Sequence, residues 1–312
     1  MGKPVRIGLL GIGKIARDQH VPSICGNESF SLVAAASRNA TIEGVANFPS
    51  IEAMIDGCAD LEAVAICTPP QLHYEAAKLA LKKGKHVLLE KPPCTSTLEL
   101  AHLSRLAKDA GRTLYQTWHS QHAHGVAPAA ALLRESPPRR VRVTWKEDVR
   151  RWHPGQTWIW QPGGFGIFDP GINALSILTK IIPDDIFPRS AHLYVPSNCQ
   201  APIAADLELV TARGAEISAS LDFRQTGDQT WDIAVETDDA PLVLSAGGGN
   251  LTIGNKEVPR DPGALGSEYV SIYRDFAGLI AREESEVDAR PLQLVADIFL
   301  IAKRSLVEPF VE

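Results

Sequence analysis

Val5-Arg-Ile-Gly8-Leu-Leu10-Gly11-Ile-Gly13-Lys-Ile-Ala16 stands almost at the start of the chain. A run that is apolar on both faces leads straight into two glycines and then into residues of helical texture. Such a run fits a strand buried on both sides in a parallel sheet. Gly11 permits a tight turn out of the strand. Gly13 lets backbone approach a pyrophosphate resting on the N-terminus of the next helix, whose first residues are Lys14 and Ile15. Ala16 takes the third small position, where strand and helix pack closely. Lying between a strand and a helix, the stretch reads as a dinucleotide-binding turn rather than an ordinary glycine loop.

The pattern continues outward. Runs 31–36, 63–67, 86–89 and 113–117 are of strand length and apolar throughout, and 72–83 and 97–110 carry helical stripes that end at Gly84 and Gly111. This alternation predicts an α/β Rossmann domain with a parallel sheet over residues 1–120. Beyond 120 the texture changes. A helix at 127–133 precedes a half-buried strand at 139–148, and further strands are expected at 191–196, 207–211, 216–223, 231–236 and 242–244. Gly247-Gly-Gly-Asn250 suits a hairpin, because no helix follows it. Residues 121–312 are therefore expected to form an α+β domain with an open, mostly antiparallel sheet. Residues 291–307 read as a final helix that packs back on the first domain.

Composition limits the partners. The 312 residues carry 31 basic and 37 acidic side chains, a net charge of −6. That balance argues against nucleic acid, whose phosphates call for a basic surface. No apolar run approaches the ~20 residues that cross a bilayer. Cys25, Cys58, Cys67, Cys94 and Cys199 share no CxxC or repeated spacing and read as reduced thiols. With no export signal evident in the first residues, the expected setting is cytoplasmic. A small-molecule substrate is the expected partner, and an open sheet face would also suit a homo-oligomer.

The end of the second strand usually supplies an acidic residue for the adenosine ribose. Ser37-Arg38 stands there instead. A hydroxyl and a guanidinium suit a 2′-phosphate, so NADP is expected to be preferred over NAD.

Two further stretches carry a resemblance. Ala65-Ile-Cys67-Thr68-Pro69-Pro-Gln-Leu-His73 and Gly84-Lys-His-Val-Leu-Leu-Glu90-Lys91-Pro92 resemble the glucose–fructose oxidoreductase / inositol dehydrogenase / MocA family over nearly the whole chain. The resemblance implies that Cys67, Thr68, Pro69, His73, Glu90 and Lys91 border the cofactor, and that Lys91 sits beside the nicotinamide and the reacting hydroxyl. The family's second marker appears as Gly163-Gly-Phe-Gly-Ile-Phe-Asp169-Pro-Gly-Ile-Asn173, with Asn173 where the family usually has His. Asp169 and Asn173 are one turn apart at the start of a helix expected over 172–182, so both side chains can point one way. An amide cannot act as a general base near neutral pH, which leaves proton transfer to Lys91 and Asp169. A helix cap is the structural alternative for Asp169.

Lys146-Glu147-Asp-Val-Arg-Arg-Trp152-His153, together with Gly13–His20 and Thr117-Trp-His119-Ser, is similar to the bacterial L-arabinose / D-galactose 1-dehydrogenases of that family. The similarity implies oxidation of a pyranose anomeric hydroxyl to an aldonolactone by hydride transfer to the nicotinamide. Trp152 and Trp231 would offer faces to the sugar ring, while Lys91, His119, Glu147, His153, Asp169 and Asn173 would meet its hydroxyls. Trp145, Trp158 and Trp160 read equally well as core. His119, His122 and His124 lie close together, but no accompanying Cys or Glu pattern supports a metal. Two other readings stay open: another sugar or cyclitol dehydrogenase, and a catalytically silent sugar-binding or NAD(P)-binding regulator.

Overall fold

The uninterrupted apolar runs of the first part become strands with both faces covered. In the computed structural model, which describes residues 3–260 and 267–312, the chain opens with β1 (Val5–Leu10). A π-helical turn (Ala16–His20) continues into α1 (Val21–Cys25), followed by β2 (Phe30–Ala36), β3 (Ala46–Phe48) and α2 (Ile51–Gly57). Then come β4 (Ala63–Ile66), α3 (His73–Lys82), β5 (His86–Leu89), α4 (Thr97–Ala110) and β6 (Leu114–Gln116). The six strands form one parallel sheet in the order β3-β2-β1-β4-β5-β6. Strand order reverses between β1 and β4, which is where open α/β sheets bind ligands at their carboxyl ends. The glycine turn leaves β1 at that point.

Helix limits follow local chemistry. Ser96 caps α4 in a full capping box with Glu99, and Gly111 closes the helix in the left-handed conformation. β3 and α2 are additions to the sequence expectation. β3 is three residues long and mostly exposed, too short to register as an apolar run.

The second part alternates polarity instead. α5 (Val126–Glu135) leads to β7 (Arg140–Lys146), α6 (Val149–Trp152), α7 (Phe168–Ile181), β8 (Ile186–Pro196) and β9 (Ala204–Thr211). β10 (Glu216–Asp222), β11 (Thr230–Glu236), β12 (Leu242–Ser245), β13 (Asn250–Ile253) and β14 (Lys256–Glu257) follow. The chain ends with α8 (Glu268–Arg282), α9 (Arg290–Ile301) and β15 (Lys303–Val307). The nine-stranded sheet runs β14-β13-β12-β11-β7-β10-β9-β8-β15. Only β7 with β10 and β8 with β15 pair in parallel, so the sheet is mostly antiparallel, as expected. On β7, Val141, Val143 and Trp145 are buried while Arg140 and Arg142 face out. The Gly247–Asn250 stretch joins β12 to β13 as a hairpin.

The chain divides into two compact units, Met1–His119 with Leu265–Ala289, and Ser120–Ala264 with Arg290–Glu312. This corrects the expectation for 291–307. That stretch is a helix and a strand: β15 alternates its side chains and adds to β8 as a parallel edge. α9 buries Leu292, Leu294, Val295 and Ile298 among elements of the second unit, beside α7 and β8. The segment that belongs to the first unit is α8. Its Tyr269, Ile272, Tyr273, Phe276 and Leu279 recur at helical spacing and join one core with Ile7, Leu9, Ala16 and Leu88. Among the described residues, no helix is long and apolar enough to cross a membrane.

Candidate active site

In the first unit, Gly11 adopts φ +88° and a side chain there would stand 2.9 Å from the backbone of Cys67 and Thr68. Only glycine fits that crossing of the β1 and β4 ends. Gly13 is the reverse case: the position of its absent Cβ has no protein atom within 4 Å. Open space against a glycine, at the start of a helix and at the sheet's switch point, suits a pyrophosphate. Thr68 adds a buried hydroxyl oxygen with no hydrogen-bond partner. The residues thus fit a dinucleotide. Lys14, paired with Asp18, and Ile15 are exposed beside the turn.

Ser37 and Arg38 follow directly on β2, with the Arg38 side chain exposed. The Ser37 amide donates to the Phe48 carbonyl at 3.0 Å, and its hydroxyl accepts from the Asn39 amide at 3.3 Å. Arg38 is therefore presented on a pinned turn. His73 is buried with Nε2 2.5 Å from the Thr68 carbonyl and Nδ1 3.2 Å from the Pro93 carbonyl. Burial lowers its pKa, against the pull of those carbonyls. Its ring nitrogens meet the Thr68 and Pro93 carbonyls and so shape the Thr68–Pro69 loop.

Glu90 is likewise turned inward. It is 4% exposed, and its Oε1 accepts from Tyr269 Oη at 2.8 Å and lies 3.0 Å from His20 Nε2. Its Oε2 accepts from the Lys91 amide at 2.9 Å. Burial pushes the carboxyl up, but the His20 bond and charge, His119 and the Tyr269 hydroxyl outweigh it and hold the pKa at about 2. Lys91, half-buried, comes next, joined to Pro92 by a cis peptide. His20, Tyr269 and Tyr273 were not singled out from sequence as site residues. His119 also belongs to this unit: its Nδ1 is 2.6 Å from Glu268 Oε2 and its ring stacks on Tyr269.

The second unit gathers most of the expected sugar ligands. β7 ends at Lys146, and the Glu147 amide is tied to the Asp222 carbonyl at 2.9 Å. Asp148 caps α6, accepting from the Arg150 amide at 3.0 Å, and that short helix sets Trp152 and His153. Arg150 beside Asp148 also lowers the carboxyl's pKa. Glu147 is 5% exposed and accepts from Trp231 Nε1 at 2.8 Å. Trp152 packs edge-on against Trp231 with ring centres 5.4 Å apart. His153 Nε2 stands 3.5 Å from Glu147 Oε1 and 3.8 Å from Asp169 Oδ2. Both distances are longer than a good hydrogen bond.

Asp169 is 3% exposed in the first turn of α7. The helix begins at Phe168, earlier than expected, and Ile167 holds the cap position with no side-chain bond. Asp169 is therefore inside the helix rather than capping it. One turn on, Asn173 has a buried Oδ1 with no partner, as an acceptor waiting for a ligand hydroxyl would. Beside His153 opens a cavity of about 370 Å³ whose lining includes Gln156, Trp160, Gln161, Asn198 and Phe310. Its amides and aromatic rings were not read as a group from sequence. Trp160 packs on Phe223 and Phe310, whereas Trp145 is core. Among the described residues, no group of three His, Cys, Asp or Glu side chains could hold a metal.

Residues 5–117 match the family model described as GFO_IDH_MocA, oxidoreductase family, NAD-binding Rossmann fold. A galactose 1-dehydrogenase of Pseudomonas fluorescens is 43% identical over 309 residues, 99% of either chain. The chain belongs to the GFO/IDH/MocA oxidoreductases. A D-galactose-1-dehydrogenase from Rhizobium etli superposes with TM-score 0.93 at 49% identity, over 100% of this chain and 99% of that one. A 3-ketoreductase from Actinomadura kijaniata, solved with NADP and TDP-benzene, shares the fold at 19% identity and TM-score 0.83, covering 97% and 99%. As a GFO/IDH/MocA member, the chain places the glycine turn and Lys91 in its first unit and the Glu147–His153–Asp169 cluster in its second.

Proposed function

We propose that the chain is an NAD(P)-dependent aldose 1-dehydrogenase acting on D-galactose and L-arabinose as pyranoses. The observation that carries this is the second-unit cluster: two buried carboxylates about one imidazole, with an unpartnered amide oxygen and two tryptophans beside them. Carboxylates and an amide oxygen accept from hydroxyls, and indole faces stack on the C–H face of a pyranose. The relatives named as galactose dehydrogenases support the substrate class.

Gly11, Gly13, Lys14, Ile15, Ser37, Arg38, Cys67, Thr68 and Pro69 would hold the dinucleotide, with Glu90 and His73 shaping its surroundings. When bound, the nicotinamide supplies the hydride acceptor at C4. Oxidation takes a hydride from sugar C1 and a proton from O1, which leaves the C1 carbonyl of the lactone. Lys91 and Asp169 handle that proton. Asn173 and Glu147 orient the ring through its hydroxyls, and Trp231 holds Glu147 in place. Arg38 and Ser37, with no carboxylate beside them, favour NADP. L-Arabinopyranose lacks only the exocyclic hydroxymethyl of D-galactose, so a pocket with room for that group accepts both. Five free thiols fit a reducing, cytoplasmic setting.

The test is absorbance of reduced nicotinamide on mixing the protein with each sugar and each cofactor. Reduction with both sugars, faster with NADP, is expected. Silence across an aldose panel would show a binding protein instead.

A further inference from the structure

We propose that His20, with Tyr273 behind it, is a positioning residue for Lys91: it holds Glu90 in one rotamer, and Glu90 fixes the backbone from which Lys91 departs. The proposal rests on the reading of Lys91 as a proton-handling group.

The chain leaves β5 at Leu89, and the Glu90 amide is still tied to the sheet through the Ile66 carbonyl at 3.1 Å. The next peptide has a different tether. The Lys91 amide donates to the side chain of the preceding residue, Glu90 Oε2. The seat of Lys91 therefore depends on where the Glu90 carboxylate sits. That carboxylate is buried among aromatic rings, and its other oxygen is held from two directions by His20 Nε2 at 3.0 Å and Tyr269 Oη at 2.8 Å.

His20 itself has one seat. It is fully buried, and Tyr269 and Tyr273 stand edge-on to its ring at 4.9 and 5.8 Å. Tyr273 Oη lies 2.7 Å from Nδ1. An ionised Glu90 can only accept, so Nε2 must carry the proton that faces it. With Nδ1 meeting the Tyr273 hydroxyl, which can donate or accept, every polar atom of the set has a partner. Three distant pieces of chain meet here: the helix that opens at the glycine turn, the exit of β5, and α8.

Stability alone is a poor reason for such a set. Apolar side chains of the same volume often serve a core as well as a buried charge does. What they cannot supply is direction, and here the direction ends on the Lys91 amide. The same helix begins at the glycine turn, so His20 ties the seat of Lys91 to that turn.

The test compares His20→Leu, His20→Gln and Tyr273→Phe in the full chain. Measured for each are kcat and KM for D-galactose, dinucleotide Kd by fluorescence, thermal unfolding, and the ¹³C signal of reductively methylated Lys91, assigned with Lys91→Arg. His20→Leu is expected to lower kcat at least ~10-fold, as misplaced reacting groups do, with KM and Kd moving less than about threefold. Its Lys91 signal should shift. His20→Gln retains an N–H for Glu90 and should recover most of kcat and the original signal. The proposal is overturned if His20→Leu leaves both kcat and the signal unchanged, or if kcat falls only in step with the folded fraction. Should His20→Leu not fold, Tyr273→Phe, which removes one hydroxyl, decides on the same readouts. Lack of sugar-dependent reduction in the unmodified protein would refute the dehydrogenase reading, and the Lys91 signal would still decide this one.

Discussion

Each unit of this protein sets an imidazole against buried carboxylate, and the two sets are built differently. In the first, Glu90 meets His20, Tyr269 and the Lys91 amide within 3.0 Å. In the second, His153 stands between Glu147 and Asp169 at 3.5 and 3.8 Å, and Asn173 presents an acceptor with no partner. A set closed on itself orients its neighbours. A set with slack and an idle acceptor has room for a polyol. On the proposed reading, the contrast separates groups that position from groups that would touch the substrate, although the carboxylates of both are buried.

The largest effects should come from the two groups proposed to handle the proton. Lys91→Ala and Asp169→Ala are each expected to lower kcat by at least ~10²-fold, the lower range for acid–base groups. Steady-state kinetics with D-galactose checks this, with circular dichroism as the control for folding. Near-normal kcat in either variant would break the assignment of roles across the two sets.

Arg38→Ala should weaken NADP by roughly ten- to a hundredfold, the loss of one charge-assisted contact of ~1.5–3 kcal/mol, and leave NAD nearly unchanged. Dinucleotide titrations by fluorescence would show it. Equal losses for both cofactors would remove the 2′-phosphate reading.

The closed set should reveal itself in stability against pH. The Glu90 carboxyl, held at about 2 in the folded protein against an ordinary 4.5, is depressed. Its contribution is therefore fully present above about pH 4.5 and is lost as pH falls towards 2. Denaturant unfolding of the unmodified protein and Glu90→Gln should differ by a constant amount from pH 5 to 8, on the order of 2 kcal/mol for a buried charged hydrogen bond. Below pH 4.5 the two curves should converge. A difference that persists unchanged to pH 3 would mean that Glu90 is not held ionised.

The smallest effect is expected at the open set's amide. Asn173→Ala should raise KM for the sugar by a few-fold, about one neutral hydrogen bond of ~1 kcal/mol, with a lesser change in kcat. A larger fall in kcat than rise in KM would place Asn173 among the reacting groups.

Much of this was open to a reader of the sequence, unevenly. The β1–Gly11–Gly13 unit declares itself because a parallel strand buried on both faces must be apolar throughout, and a turn crossing another backbone must be glycine. The second-unit cluster was legible as residue types, since Glu147, Trp152 and His153 lie within one short stretch. Asp169, Asn173 and Trp231 reach it only through the fold. Other features depended on tertiary packing. The spacing of Tyr269, Ile272, Tyr273 and Phe276 declares a helix, but nothing in that spacing says which sheet it covers. The sequence alone therefore gives that helix no place, and its texture points to 291–307 for the return to the first unit. His20 went unread as a site residue for the same reason. Its partners lie 70 and 253 positions away.

The late arrival of α8 also sets the order in which the protein can form during synthesis. Six parallel strands are complete when Gln116 has been made, yet the core over β1 lacks Tyr269, Ile272, Tyr273, Phe276 and Leu279. At ~5–20 residues per second, the ribosome needs roughly 8–30 seconds more to reach the end of α8. Through that interval the nascent sheet has an apolar face covered only in part, by the segment around Ala16 and Ile24, while the stretch up to Ala264 of the second unit emerges.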